Sequence, residues 1–126
     1  MRQKRCPTLQ PVTGVRVTAE ELAMITTIVR FPLPAPLTLE EATEVFRSTA
    51  PIYRNVPGLV RKVYLLSEDG RTAGGVYLWE TRAAAERALG EEWRRRLVER
   101  YGAEPSVAYF ASPVSVDNVS GQILAD

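Results

Sequence analysis

The pattern of apolar and polar residues from position 23 onward predicts a strand followed by a helix. Residues 23–31 are mostly β-branched or apolar, which favours a largely buried strand. Three prolines within residues 32–36 end that strand. Thr38 and Glu41 then form a capping-box pattern, and apolar residues recur every three or four positions as far as Tyr53, so a helix is expected there. Pro51 is expected to kink or restart this helix near its end.

The rest of the chain predicts a hairpin, a second helix and a last strand. Pro57 and Gly58 close the first helix, residues 59–66 read as a strand, and a second strand ends near Trp79. A helix is expected from Arg82 to about Tyr101, bent or divided at Gly90, followed by a strand over residues 106–110 that could resume at 114–116. The order strand, helix, strand, strand, helix, strand predicts an α+β, ferredoxin-like βαββαβ fold with both helices on one face of an antiparallel sheet.

The turn between the two hairpin strands sets which side chains share a face. Glu68-Asp69-Gly70 resembles a type I turn with Gly70 in a G1 bulge, which would pair Ser67 with Arg71. This register places Arg61 opposite Tyr77, on the same side as Trp79. Both faces of the hairpin are largely apolar, so the face without helices is expected to be covered by a second subunit.

Length and composition bound the remaining possibilities. With 126 residues the chain has room for one domain, expected at 21–119, between an N-terminal arm at 1–20 and a C-terminal tail at 120–126. The formal charge of +1 gives no electrostatic footprint for nucleic acid, and no apolar run is long enough to span a membrane. One cysteine and no apolar export segment indicate a cytoplasmic protein.

The chain contains no histidine, which removes several kinds of chemistry. A Ser-His or Cys-His nucleophile pair, an imidazole metal cluster, a histidine-ligated haem and a histidine base are all excluded. Catalysis would depend on carboxylates, tyrosines, arginines, amides or the acidity of the substrate itself, and no metal or cofactor site is predicted.

Four features form one sequence pattern: residues 53–64 (YRNVPGLVRKVY), residues 73–80 (AGGVYLWE), an alanine-rich second helix and a final PVSVDN. This pattern resembles that of the YdhR-type mono-oxygenase family of the dimeric α+β barrel superfamily. This family is related to the antibiotic-biosynthesis monooxygenases, and the resemblance covers residues 24–119. It implies a homodimer with one apolar pocket per subunit. It also implies oxidation of an aromatic or enolisable small molecule by molecular oxygen without metal or flavin, in which the deprotonated substrate reduces oxygen directly.

On this basis six residues are candidates for binding such a ligand. Trp79 would stack on an aromatic substrate while Tyr77 and Arg61 hydrogen-bond a phenolate. Further polar groups at the edge of the pocket would come from Tyr64, Tyr109 and Asn118. Each has a structural alternative: the aromatic residues could fill the core or the dimer interface, and Arg61 could pair with Glu80 or Asp117.

Two other functions remain open on the sequence. The barrel could bind a small molecule without turnover, as a binding or stress-associated protein, or it could be a dimerisation module with a solid interior. A strong desolvated acid or base in the pocket would favour the enzyme, and an aliphatic pocket with only hydroxyls would favour the binding protein.

Overall fold

The structure is a computed structural model that describes residues 24–125. The predicted N-terminal arm at 1–20 lies outside the described residues. The elements, in chain order, are strand β1 (Ile25–Pro32), helix α1 (Leu39–Tyr53), strands β2 (Leu59–Leu66) and β3 (Thr72–Trp79), helices α2 (Arg82–Ala88) and α3 (Glu91–Tyr101), and strands β4 (Ser106–Ala111), β5 (Val114–Asp117) and β6 (Gln122–Ala125).

The first four strands form one antiparallel sheet in the order β2-β3-β1-β4. Side chains from one face of this sheet, among them Val29 and Trp79, form a single buried core with Ala85, Leu89 and Trp93 of the helices. The ferredoxin-like α+β fold is confirmed. The predicted second helix is divided into α2 and α3 at Gly90, which caps the start of α3.

Helix α1 begins where the capping box predicts. The Thr38 hydroxyl accepts from the Glu41 amide at 3.1 Å, and the Glu41 carboxylate accepts from the Thr38 amide at 2.9 Å. Pro51 lies in the last turn of α1, and the helix continues past it to Tyr53.

The register predicted for the β2–β3 hairpin is wrong by one residue. Ser67 pairs with Thr72, so Lys62, and not Arg61, lies opposite Tyr77. Gly70 does take the predicted left-handed conformation, with φ of 73°.

The cause lies in the side chains of the turn. Asp69 Oδ1 accepts from the Arg71 amide at 3.0 Å and from the Ser67 hydroxyl at 2.7 Å, while Ser67 Oγ accepts from the Thr72 amide at 3.0 Å. Because of these bonds Arg71 stays in the loop, and β3 starts to pair with β2 at Thr72 instead of Arg71. Because side chains alternate along a strand, the shift moves Lys62 and Tyr64 to the helix side of the sheet.

A register shift between Leu59 and Arg61 returns the start of β2 to its predicted face. It places Leu59 opposite Trp79, although the next pair along is Arg61 with Leu78. The extra residue, Val60, is 51% exposed.

The end of the described chain forms a separate hairpin. Strands β5 and β6 pair with each other through Val114–Asp117 and Gln122–Ala125, where the sequence predicted a continuation of the last strand and a polar tail. Within residues 24–125, no helix has the length and apolar character needed to cross a membrane.

Candidate functional site

A cavity of about 90 Å³ lies between the helix-covered face of the sheet and helices α1 and α3. Tyr64 of β2 and Tyr77 of β3 line it from the sheet, and Tyr53 lines it from α1. Helix α3 contributes Trp93 and Tyr101. The wall is therefore mainly aromatic, with hydroxyl groups on both layers.

Lys62 projects from β2 into this aromatic wall. Its Nζ lies 3.4 Å from the ring centroid of Tyr53, 3.8 Å from that of Tyr64 and 4.8 Å from that of Tyr77. The negative faces of these rings attract an ammonium group. We call Lys62 with Tyr53, Tyr64 and Tyr77 the lysine cage.

Burial opposes the charge on this lysine. Desolvation lowers the pKa of Lys62 from 10.5 to about 7, so both the amine and the ammonium forms are accessible near neutral pH. An amine of this kind can accept a proton at neutral pH, which a guanidinium does not do.

The space for the lysine chain is created by a glycine on the neighbouring strand. A Cβ atom on Gly75 would lie 3.2 Å from Cε of Lys62. The adjacent Gly74 serves close packing of the backbone, since a Cβ there would lie 1.8 Å from the Val29 carbonyl oxygen. The Gly-Gly pair therefore has two separate structural tasks.

Two tyrosines of the cage, Tyr64 and Tyr77, remain protonated donors over the physiological range. Burial is the largest cause of the raised pKa of Tyr77, and the neighbouring Tyr53 acts in the same direction. Burial also raises the pKa of Tyr64, whose hydroxyl lies 2.8 Å from Thr49 Oγ1. The ring of Tyr64 stacks on Phe46 with a centroid distance of 4.8 Å.

One polar atom at the cavity makes no well-formed hydrogen bond. Trp93 is 3% exposed, and its Nε1 lies near the Tyr77 hydroxyl but makes no hydrogen bond of ordinary geometry within the described part of the chain. A buried N–H without an acceptor costs about 1–3 kcal/mol. An acceptor oxygen of a bound molecule would satisfy it.

An open groove of about 510 Å³ lies on the outer side of the cage. Both spaces are lined by Tyr53, Lys62 and Tyr64, which therefore form the wall between groove and cavity.

Arginines surround the site on both sides of this wall. The groove is lined by Arg47, Arg54 and Arg61, and the cavity by Arg96 and Arg100. No carboxylate lines either space among residues 24–125, and none of these five arginines forms an ion pair there. The site therefore carries a positive potential that suits an anionic ligand.

The structure brings two of the six predicted ligand residues to the cavity, Tyr64 and Tyr77. Arg61 lines the outer groove and is exposed, without an ion pair to Glu80 or Asp117 in the described residues. Because of the register shift it does not face Tyr77.

The other three predicted residues lie away from the cavity. Trp79 is 1% exposed in the core, where its Nε1 donates to Thr27 Oγ1 at 2.9 Å. Tyr109 packs under the guanidinium of Arg82, at 4.4 Å from Cζ to the ring centroid. Asn118 is exposed in the turn between β5 and β6.

Sequence reasoning missed Lys62, the group with the most reactive chemistry at the site. One signal was present: the chain has 16 basic residues, of which only Lys4 and Lys62 are lysine. Lysine in a chain that otherwise uses arginine marks a position where a neutral amine is possible. Residues 24–125 contain no cluster of three or more acidic, histidine or cysteine side chains that could hold a metal ion.

Several solved structures are similar to this fold. A monooxygenase from the gene ActVA-Orf6 of Streptomyces coelicolor, in complex with nanaomycin D, is 21% identical with a TM-score of 0.57, covering 75% of this chain and 92% of that one. SnoaB, a cofactor-independent oxygenase from Streptomyces nogalater, is 20% identical with a TM-score of 0.56, covering 75% and 97%. A dimeric ferredoxin-like protein from an uncultured marine organism is 14% identical with a TM-score of 0.50, covering 75% and 99%.

At these identities the similar structures show the fold alone. No curated protein matches the chain. The sequence profile of one family, described as "Putative mono-oxygenase ydhR", matches residues 27–108, which is more than half of the chain. The match runs from within β1 into β4 and includes the whole lysine cage. The chain therefore belongs to the ydhR mono-oxygenase family.

Proposed function

We propose that the protein is a cofactor-independent monooxygenase that oxidises a small aromatic or enolisable substrate with molecular oxygen. The observation that carries this proposal is the lysine cage: an amine with a pKa near 7 and three tyrosine hydroxyls at an aromatic cavity. Such a group favours the enzyme over a simple binding protein, because a binding pocket has no need of a desolvated base. Family membership and a similar fold in two oxygenases support it.

The reaction uses the substrate as the only reductant. The substrate anion gives electrons to molecular oxygen, one oxygen atom is inserted at carbon, and the other leaves as water with the two hydrogens that the substrate loses. The protein binds and orients the ring, excludes water and stabilises the oxyanion through the cage hydroxyls and the positive field of the arginines.

We also propose that two copies associate through the sheet face without helices. Val63 and Phe110 lie on that face and are 49% and 50% exposed, and Ile28, Val76 and Leu78 are only partly covered. A large exposed apolar face on an antiparallel sheet favours a self-complementary contact. Light scattering is expected to give twice the chain mass for the protein and the single chain mass for Phe110→Glu, whereas Val119→Glu, in the β5–β6 turn, should remain a dimer.

Oxygen uptake tests the activity. The purified, metal-stripped protein is mixed with anthrones, naphthols, quinols and flavonols, and oxygen consumption is followed with an electrode. Uptake should require the folded protein and should fall about tenfold or more in Tyr77→Phe, which removes a donor from the cavity wall. Tyr109→Phe is the matched control and should leave the rate unchanged.

The same experiment can reject the proposal. If no compound supports uptake but the compounds quench tryptophan fluorescence saturably, through Trp93 at the cavity, the protein binds these molecules without oxidising them. Uptake that survives Tyr77→Phe unchanged would place the reaction elsewhere.

A further inference from the structure

We propose that Lys62 is the catalytic base that takes the proton from a phenol or enol, and that its ammonium then holds the resulting oxyanion beside the indole N–H of Trp93. This inference rests on the proposed function and deepens it by naming the base, the acidic group of the substrate and the place where the anion forms.

The shape of the site determines how such a ligand can lie. The cavity, at about 90 Å³, is smaller than the apolar cavity of about 150 Å³ that accepts benzene in another protein. The groove, at about 510 Å³, is within the size range of small-molecule sites. The body of the ligand therefore belongs in the groove, and its oxygen enters the cavity past the cage wall.

The atoms at that wall suit an oxygen that loses its proton. Lys62 Nζ has only ring faces as partners among the described residues, so its lone pair is free to accept a proton. Trp93 Nε1, at the cavity, is a buried donor whose approach to the Tyr77 hydroxyl falls short of a well-formed hydrogen bond, so it can donate to an incoming oxygen. The transfer is balanced: the O–H bond of the ligand breaks, an N–H bond forms on Lys62, and a neutral pair becomes an ion pair.

The charged groups around Lys62 also favour transfer of the proton from the ligand to the lysine. The other titratable groups facing it are the cage tyrosines and Tyr101 of α3. Burial raises the pKa values of Tyr64, Tyr77 and Tyr101, so these three stay neutral. The cations are the five arginines of the groove and cavity. A bound anion is attracted by all of them and raises the affinity of Lys62 for the proton it has taken.

A purely structural role for Lys62 is the alternative to proton transfer. Strand β2 is at the edge of the sheet, and inward charges on edge strands prevent pairing between molecules. That role needs only a charge, which arginine would supply. Proton transfer needs a group that is neutral before the ligand binds, and this difference can be measured.

The experiment follows the protonation of 2-naphthol bound to the protein without oxygen, at pH 8, where the free compound is the neutral phenol. Absorbance reports the phenolate, and calorimetry in buffers of different ionisation enthalpy counts the protons released. The wild-type protein should form bound phenolate with almost no proton released, because Lys62 keeps it. Arg71→Met, which removes an exposed cation from the β2–β3 turn, is the control and should behave like wild type.

Two variants separate a base from a fixed cation. Lys62→Met should form at least tenfold less bound phenolate. Lys62→Arg should still bind phenolate but release about one proton for each ligand, because the guanidinium is already charged. Trp93→Phe should weaken phenolate binding several-fold without changing the number of protons released.

Three results would overturn the inference: no phenolate on the wild-type protein with either 2-naphthol or phenol, the same phenolate yield in Lys62→Met, or release of one proton by the wild-type protein. Because these measurements exclude oxygen, they are independent of the uptake assay. Uptake in air by wild type without anaerobic phenolate would refute the base and leave the oxygenase intact. Phenolate without uptake would refute the oxygenase alone.

Discussion

Replacing Lys62 by methionine should stabilise the folded protein at neutral and acidic pH. The shift of the lysine pKa from 10.5 to about 7 corresponds to a penalty of about 5 kcal/mol for carrying the charge in the folded state. Attraction to the three ring faces offsets part of this, at about 0.5–1 kcal/mol per exposed contact. Methionine fills a similar volume without a charge, so the free energy of unfolding at pH 6 should rise by about 2–5 kcal/mol.

The sign follows from proton binding. Between about pH 7 and pH 10 the unfolded lysine is protonated and the folded one is not, so the unfolded state binds more protons and stability rises with pH. Below about pH 7 both states are charged and the full penalty is present. Above about pH 10 the buried tyrosines reverse the trend, because their raised pKa values let only the unfolded state ionise.

Urea unfolding at intervals from pH 6 to pH 9.5 measures this effect. The wild-type free energy of unfolding should rise by about 2–3 kcal/mol over that range, and that of Lys62→Met should stay flat to about 0.5 kcal/mol. Arg71→Met, exposed in the turn, should keep the wild-type slope. Parallel curves for wild type and Lys62→Met would show that Lys62 is not desolvated in the folded state and would refute the reasoning.

Three further substitutions test the surroundings of the site. Gly74→Ala places a Cβ 1.8 Å from the Val29 carbonyl oxygen, and urea unfolding should show a loss of at least about 2 kcal/mol; a near-neutral result would contradict the close approach of β1 and β3. Gly75→Ala places a Cβ 3.2 Å from Lys62 Cε, from Tyr77 Cε1 and from the Val63 carbonyl oxygen, so it should move the lysine, shift its pKa, measured by NMR, and cost about 1–3 kcal/mol in urea unfolding; an unchanged pKa would contradict the contact. Thr38→Ala removes the reciprocal capping bonds of α1 and should cost about 1 kcal/mol in urea unfolding, whereas Thr38→Ser should restore stability.

Local signals predicted the elements well, because each depended on residues close in sequence. The Thr38–Glu41 capping box fixed the start of α1, and Gly90 fixed the break between α2 and α3. The run of β-branched and apolar residues over 23–31 predicted a largely buried strand, which is β1 in the middle of the sheet, and the turn at residues 68–70 predicted the β2–β3 hairpin.

The site was not predictable to the same degree, because it depends on a single register. The glycine at the left-handed position fits a five-residue turn, but the Asp69 carboxylate competes with the Ser67 carbonyl for the Arg71 amide. The difference is one residue in the loop, and it exchanges Arg61 for Lys62 at the cavity. The hydrogen bonds of the turn side chains therefore determine whether Arg61 or Lys62 lies among the tyrosines. The apolar residues of β2 do not distinguish the two registers, because they occur on both faces of the strand.

The presence of Lys62 rather than Arg61 at the cavity changes the chemistry of the site as well as the position of the charge. Arg61 would have placed a permanent charge under Tyr77, able to bind an anion but not to create one. Lys62 is an amine whose burial among three rings makes its proton exchangeable near neutral pH, and it lines the same cavity as a buried indole donor that makes no well-formed hydrogen bond. A pocket built only to bind anions would gain from the arginine, since its charge persists under desolvation. The presence of lysine at this position, in a chain that uses arginine almost everywhere else, therefore favours a site that moves a proton over one that only holds a charge.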